Sequence, residues 1–105
     1  MSHPPRRYKI LVHKKVTTED SRRFDLPTRE KIKKKIRELL SGTPESVGEA
    51  LRFELAGYRK LVIFDKYRII YRVDHGQVRV FVLAVGIRRD SEVYKEAVKR
   101  LHRPA

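Results

Sequence analysis

The chain contains no cysteine and no tryptophan, one methionine, and only five glycines and five prolines among 105 residues. Without cysteine it can form neither a disulfide framework nor a thiolate metal site, and a cysteine nucleophile is excluded. The glycines fall singly, as turn and stop signals, so no glycine-rich phosphate loop exists. Long apolar runs are also missing. The longest, Val80 to Val85, spans six residues, against the roughly 20 that a membrane helix requires. The opening Met-Ser-His-Pro-Pro-Arg-Arg has no apolar stretch behind it, so no secretory signal is expected and a cytoplasmic location follows. Acidic residues are scarce: 13 Asp and Glu stand against 26 Lys and Arg, a net charge of +13. That field points to a polyanionic or acidic partner and to no membrane. Apolar residues still make up 40% of the chain, enough for one core. The length allows one domain over residues 1–105, with a flexible segment at 1–7 and a tail at 102–105.

The pattern along the chain predicts an α+β domain. Tyr8-Lys-Ile-Leu-Val-His13 reads as a first strand. Thr17 and Thr18, followed by Glu19 and Asp20, read as the start of a short helix with acids against the positive end of its dipole. Leu26-Pro27 interrupts that helix, and Pro27 is acceptable in the first turn of the next. Ile32, Ile36, Leu39 and Leu40 then form one apolar stripe at helical period, ended by Gly42 and Pro44. From residue 58 the period changes. Arg59 to Phe64, Tyr67 to Val73 and Gln77 to Val85 are strand-like runs, the last two joined by a predicted two-residue hairpin at His75-Gly76. The third run is apolar on both faces, as a central strand requires. Asp90-Ser91 caps a closing helix with the stripe Val93, Ala97, Val98 and Leu101, and with Lys99, Arg100, His102 and Arg103 at its C-terminal end. The expectation is a small, antiparallel-rich sheet of about four strands, two N-terminal helices and a C-terminal helix.

Little familiar active-site chemistry survives this reading. His3, His13, His75 and His102 are scattered, with no second ligand at a usable spacing, so no metal is expected. The serines sit in loops or at the Ser91 cap and make no triad. What remains is cationic. Lys60 and Arg68 lie in adjacent predicted strands, Arg88 follows the third, and Tyr94 opens the closing helix. In the fold sketched above these groups can meet on one side of the sheet. Guanidinium groups held in place stabilise charge where it develops on a phosphodiester, and Arg grips phosphate oxygens through a planar fork. On RNA the ribose 2′-OH is itself a nucleophile, so positioning, charge and proton transfer suffice, and no cofactor is needed. The competing reading is plainer: strand arginines that only hold phosphate, and a tyrosine that only packs. The basic face of the second helix, Lys31, Lys33, Lys34, Lys35 and Arg37, together with Arg59, Arg72 and Arg89, reads as a general RNA- or ribosome-binding surface.

These residues also carry a family resemblance. Gly57-Tyr-Arg-Lys-Leu61, Tyr67-Arg-Ile-Ile-Tyr-Arg-Val73, Val85-Gly-Ile-Arg-Arg89 and Ser91-Glu-Val-Tyr94, in that order, resemble the RelE/ParE superfamily of bacterial toxins, and most of all its RelE-type members. His13-Lys-Lys15, Leu26-Pro27 and Lys31-Ile32 fit the family's opening. The likeness spans roughly residues 8 to 101. It implies the toxin of a toxin–antitoxin pair: a metal-independent endoribonuclease that cuts mRNA on the 70S ribosome and is neutralised by a cognate, RelB-like antitoxin. By matching positions, Arg68 would stabilise the scissile phosphate, Arg88 would assist it or protonate the leaving oxygen, and Tyr94 would orient or stack the substrate. Lys60 would be the electrostatic or general-base lysine, in a register left open by a spacing one residue longer than usual. Val62 and Asp90 stand where relatives carry further basic residues. A ParE-like inhibitor of DNA gyrase shares the fold, and a non-catalytic nucleic-acid-binding module shares the charge.

Overall fold

In the computed structural model, residues 7–87 and 90–102 are described. Five strands, β1 (Lys9–Val12), β2 (Glu49–Ala50), β3 (Arg59–Ile63), β4 (Tyr67–Asp74) and β5 (Arg79–Gly86), form one sheet in the order β1-β5-β4-β3-β2. The helices are α1 (Leu26–Leu40) and α2 (Asp90–His102). The α+β class is as expected, but the sheet has five strands rather than four. The extra strand, β2, is two residues long, too short to register as a period-two pattern. The sheet is mixed, because β1 pairs in parallel with β5 while all other neighbours are antiparallel. That leaves β5 between β1 and β4, covered on both faces, which explains its unbroken apolar sequence.

α1 forms where the pattern places it. Asp25 caps it by accepting a hydrogen bond from the Thr28 amide, Pro27 sits in its first turn, and Ile32, Ile36 and Leu40 are buried against one face of the sheet. That face also buries Leu61, Ile63, Tyr67, Ile69, Tyr71, Val80, Val82 and Val85. The opposite face carries α2: Val93 and Ala97 pack with Leu55, Ile70, Leu83 and Ala84. A register shift beside Ile70/Tyr71 lets the neighbouring residues Leu83 and Ala84 both join this second layer. Among the described residues no helix is long and apolar enough to cross a membrane.

Three local expectations are corrected. The short helix from Thr17 is instead a π-helical turn, Val16–Asp20, running into a 3₁₀ turn, Ser21–Arg23. The hydroxyls of Thr17, Thr18 and Ser21 donate to the carbonyls of Lys14 and Thr17, taking acceptors that a regular helix would use. Asp20 does not face solvent at a helix start; it is buried, and its partner is Arg100 of α2. Arg100 stands in the last turn of α2, as expected, with its side chain buried. The β4–β5 turn holds four residues, not two, because Asp74 pairs with Arg79. The Asp74 carboxylate accepts from the Gln77 amide, and the positive φ falls on Val78 rather than Gly76. The expected Asp90 cap falls on a side chain outside the described residues.

Candidate functional site

Strand alternation and register decide which basic residues share a surface. Val62 stands opposite Arg68, Lys60 opposite Ile70, and Arg68 opposite Gly86. Because Ile70 belongs to the α2 layer, Lys60, Val62, Arg68 and Arg72 all project on the α2 face. Lys60 therefore has Arg68 and Arg72 as diagonal neighbours, at a spacing of roughly 7–8 Å. α2 packs chiefly across β5, β4 and the 3₁₀ turn Phe53–Leu55, so the β3 side of this face stays accessible; Val62 is 41% exposed.

Gly86 sets how near α2 approaches that surface. A Cβ at this position would lie 2.1 Å from Val93 Cγ2, well inside a carbon–carbon contact, so only glycine lets the first turn of α2 sit on the end of β5. Val93 precedes Tyr94, and Gly86 is the partner of Arg68. Tyr94 itself is half-buried, packed against the layer of Leu55, Ile70, Leu83 and Ala84. The sequence offered Gly86 only as one letter of a motif; the close approach is a tertiary fact.

Each cation is held. Lys60 Nζ lies 2.9 Å from Glu49 Oε1, the cross-strand neighbour on β2, and its side chain is 12% exposed. Arg68 donates through Nη1 to the Lys66 carbonyl at 2.8 Å, which leads its side chain toward the β3–β4 turn. Arg72 stacks over the Tyr58 ring, 5.9 Å from its centroid. The sequence carries no signal for Glu49, because β2 is too short to show a period, and Tyr58 stands in it only as a letter of the Gly57–Leu61 motif.

The remaining candidates lie elsewhere. Arg59 alternates onto the α1 face, where it donates to the Gly48 carbonyl at 2.9 Å and stands opposite Tyr71. The basic face of α1 also lies on that side of the sheet: Lys31, Lys33, Lys34 and Arg37 are exposed, and Lys35 faces Glu38 at 4.0 Å. Arg88 and Arg89 lie outside the described residues. A groove of about 840 Å³ runs beside the site, between the N-terminal turns and α2, lined by Asp20, Arg23, Gly86, Glu92, Val93 and Glu96 among others. Among the described residues no three His, Asp or Glu side chains gather as metal ligands.

Both the sequence and the fold have known relatives. Residues 7–92 match the family model described as ParE toxin of type II toxin–antitoxin system, parDE. Over 80 residues the chain is 40% identical to the mRNA interferase toxin RelE of Escherichia coli K12, covering 76% of this chain and 83% of that protein. The toxin–antitoxin complex RelBE2 of Mycobacterium tuberculosis superposes with a TM-score of 0.73 and 26% identity, covering 85% of this chain and all of that chain. A double arginine-to-alanine mutant of E. coli toxin RelE in the free state gives a TM-score of 0.68 and 33% identity, covering 90% of this chain and 98% of that one. The chain belongs to the RelE/ParE superfamily of toxins from type II toxin–antitoxin systems.

Proposed function

We propose that this chain is the toxin of a type II toxin–antitoxin pair and that it cuts mRNA on the ribosome, in the cytoplasm, without a metal. What supports the reading is that strand register puts Lys60 and Arg68 on the α2-bearing face of the sheet, in a chain 40% identical to a protein described as an mRNA interferase toxin. In this reading the ribose 2′-OH gives up its proton and its oxygen bonds to the adjacent phosphorus. The P–O5′ bond breaks and O5′ takes a proton, leaving a cyclic phosphate and a 5′-OH. Arg68 binds the non-bridging oxygens, whose negative charge grows in the transition state. Lys60, an ammonium paired with Glu49, adds positive potential from the neighbouring strand. Tyr94 orients or stacks the substrate. Arg88 supports the phosphate or returns the proton to O5′. The exposed lysines of α1 and the Arg72–Tyr58 stack offer general phosphate contacts, sequence-independent and salt-sensitive. A RelB-like antitoxin, complementary to a chain of charge +13, holds the toxin inactive.

The family model that matches is described as ParE, which keeps a gyrase-inhibiting reading of the same fold in view. Inducing the wild type and the Arg68→Ala/Arg88→Ala variant in cells separates the two. mRNA fragments with 5′-OH ends and a halt in protein synthesis, both lost in the variant, support the nuclease. Intact mRNA with DNA breaks or altered supercoiling supports gyrase inhibition and removes the nuclease reading. Tight, salt-sensitive RNA binding without any product leaves only a binding module.

A further inference from the structure

Asp20 and Arg100 are 3% and 4% exposed, and they join three elements at one point. Arg100 Nη1 donates to Asp20 Oδ2 and Nη2 to Oδ1, both at 2.7 Å, a bidentate fork. Asp20 Oδ2 also accepts from the Val85 amide at 2.9 Å, and Arg100 Nη1 also donates to the Leu83 carbonyl at 3.0 Å. These two backbone groups need side-chain partners for a topological reason. β1 pairs with β5 only as far as Val12 opposite Val82, and after His13 donates to Val82 the chain turns away. The ion pair takes over the vacated edge of β5.

Such a pair is a poor device for stability alone. Burying two charges costs several kcal/mol per ion before their attraction repays it, and well-packed apolar replacements are often as stable. What it supplies is fixed direction, since the fork and the two backbone bonds admit one arrangement of α2 on β5. Val85 immediately precedes Gly86, where Val93 seats and opposite which Arg68 stands. Arg100 lies on the same helix as Tyr94, six residues or about 9 Å further along it.

We propose that the Asp20–Arg100 pair is a positioning brace for the cleavage site, holding α2 in the one orientation on β5 that seats Val93 on Gly86 and so fixes where Tyr94 stands relative to the strand that carries Arg68. The inference rests on the nuclease reading above. Neither residue touches substrate; both act through Tyr94.

The test is a double-mutant cycle in a purified ribosome–mRNA cleavage assay, using the full chain. Asp20→Asn keeps the side chain's shape but turns one acceptor into a donor; Arg100→Lys keeps the charge but loses the fork. Each variant is checked for native circular dichroism at the assay temperature, and Arg100→Lys carries the cycle if Asp20→Asn does not fold. The expected result is a fall in kcat of roughly tenfold or more with KM nearly unchanged, because misplacement on the order of 1 Å can cost up to about 100-fold. In a Tyr94→Ala background the same substitution should change kcat little. A lowered melting temperature with kcat unchanged, or equal fold-losses with and without Tyr94, overturns the brace and leaves a structural ion pair. A wild type that leaves mRNA intact overturns the nuclease reading itself, and the brace with it.

Discussion

Replacing Gly86 with alanine tests how the site is assembled, because the structure fixes both the size and the direction of the disturbance. The added Cβ would stand 2.1 Å from Val93 Cγ2 and 3.2 Å from Val93 Cβ. Carbon atoms in good contact sit about 3.5–4.0 Å apart, so about 1.4 Å or more must be absorbed at the first clash. Val93 is 5% exposed and wedged among Leu55, Ile70, Leu83 and Ala84, so it cannot swing aside. The first turn of α2 must lift from β5 instead, shifting Tyr94 off the layer it packs against. Overpacking of this kind costs about 1–3 kcal/mol, or a fall in melting temperature of roughly 4–8 °C for each kcal/mol in a domain of this size. Cleavage should suffer more, with kcat falling roughly 10- to 100-fold. Adding Val93→Ala removes both γ carbons and leaves only the 3.2 Å approach, so Gly86→Ala/Val93→Ala should cleave faster than Gly86→Ala alone. Thermal melts and single-turnover cleavage on programmed ribosomes read both quantities. A Gly86→Ala protein with the wild-type melting temperature and kcat would refute the contact, and a double variant no faster than the single would refute the mechanism of the damage.

Three further outcomes follow from other parts of the molecule. Burial, reinforced by the charges of Arg100 and Lys15 and only partly opposed by Asp20, holds the His13 imidazole below the ordinary histidine range. The unfolded chain, with its histidine near about 6.5, then binds that proton more readily, so stability present above about pH 6.5 is lost as pH falls toward the folded value. Melting curves between pH 7.5 and 5.5 should show that loss, and His13→Asn should flatten it; equal slopes in both proteins would contradict the assignment. The Tyr71 hydroxyl, fully buried, lies 2.7 Å from the Pro44 carbonyl and 2.6 Å from that of Val47. Tyr71→Phe should therefore lower the urea midpoint by the equivalent of about 1–3 kcal/mol, and an unchanged midpoint would show the loop to be held by other means. Lys33 and Lys34 are exposed on α1, on the sheet side away from the proposed site. Changing both to glutamine should leave kcat intact while the slope of log affinity against log salt becomes shallower by about 0.7–0.9 for each RNA phosphate that these lysines neutralise; an unchanged slope would exclude this face from RNA binding.

The periodic elements were legible in the sequence because their signals are local. The 3.6-residue stripe of Ile32, Ile36 and Leu40 marked α1, alternation in Tyr67 to Val73 marked β4, and the doubly apolar run marked β5 as a covered strand. The short elements were not legible. β2 is two residues held by its pairing with β3, and the turns before α1 arise from hydroxyls competing for carbonyls. Of the candidate site, Lys60, Arg68 and Tyr94 could be named in advance, whereas Arg59 could not be told from its neighbours until register put it on the other face.

The sequence by itself determined the charge of +13, the absence of thiol chemistry, the α+β class and the residue types able to act on a phosphodiester. Composition and short-range periodicity suffice for these, because they depend on residues within a few positions of one another. Tertiary structure alone decided that Asp20 and Arg100, 80 residues apart, form one buried pair, that Glu49 meets Lys60, and that Gly86 admits Val93. Those contacts exist only once the sheet closes, since a charge or a glycine carries no sign in the sequence of the partner it will meet.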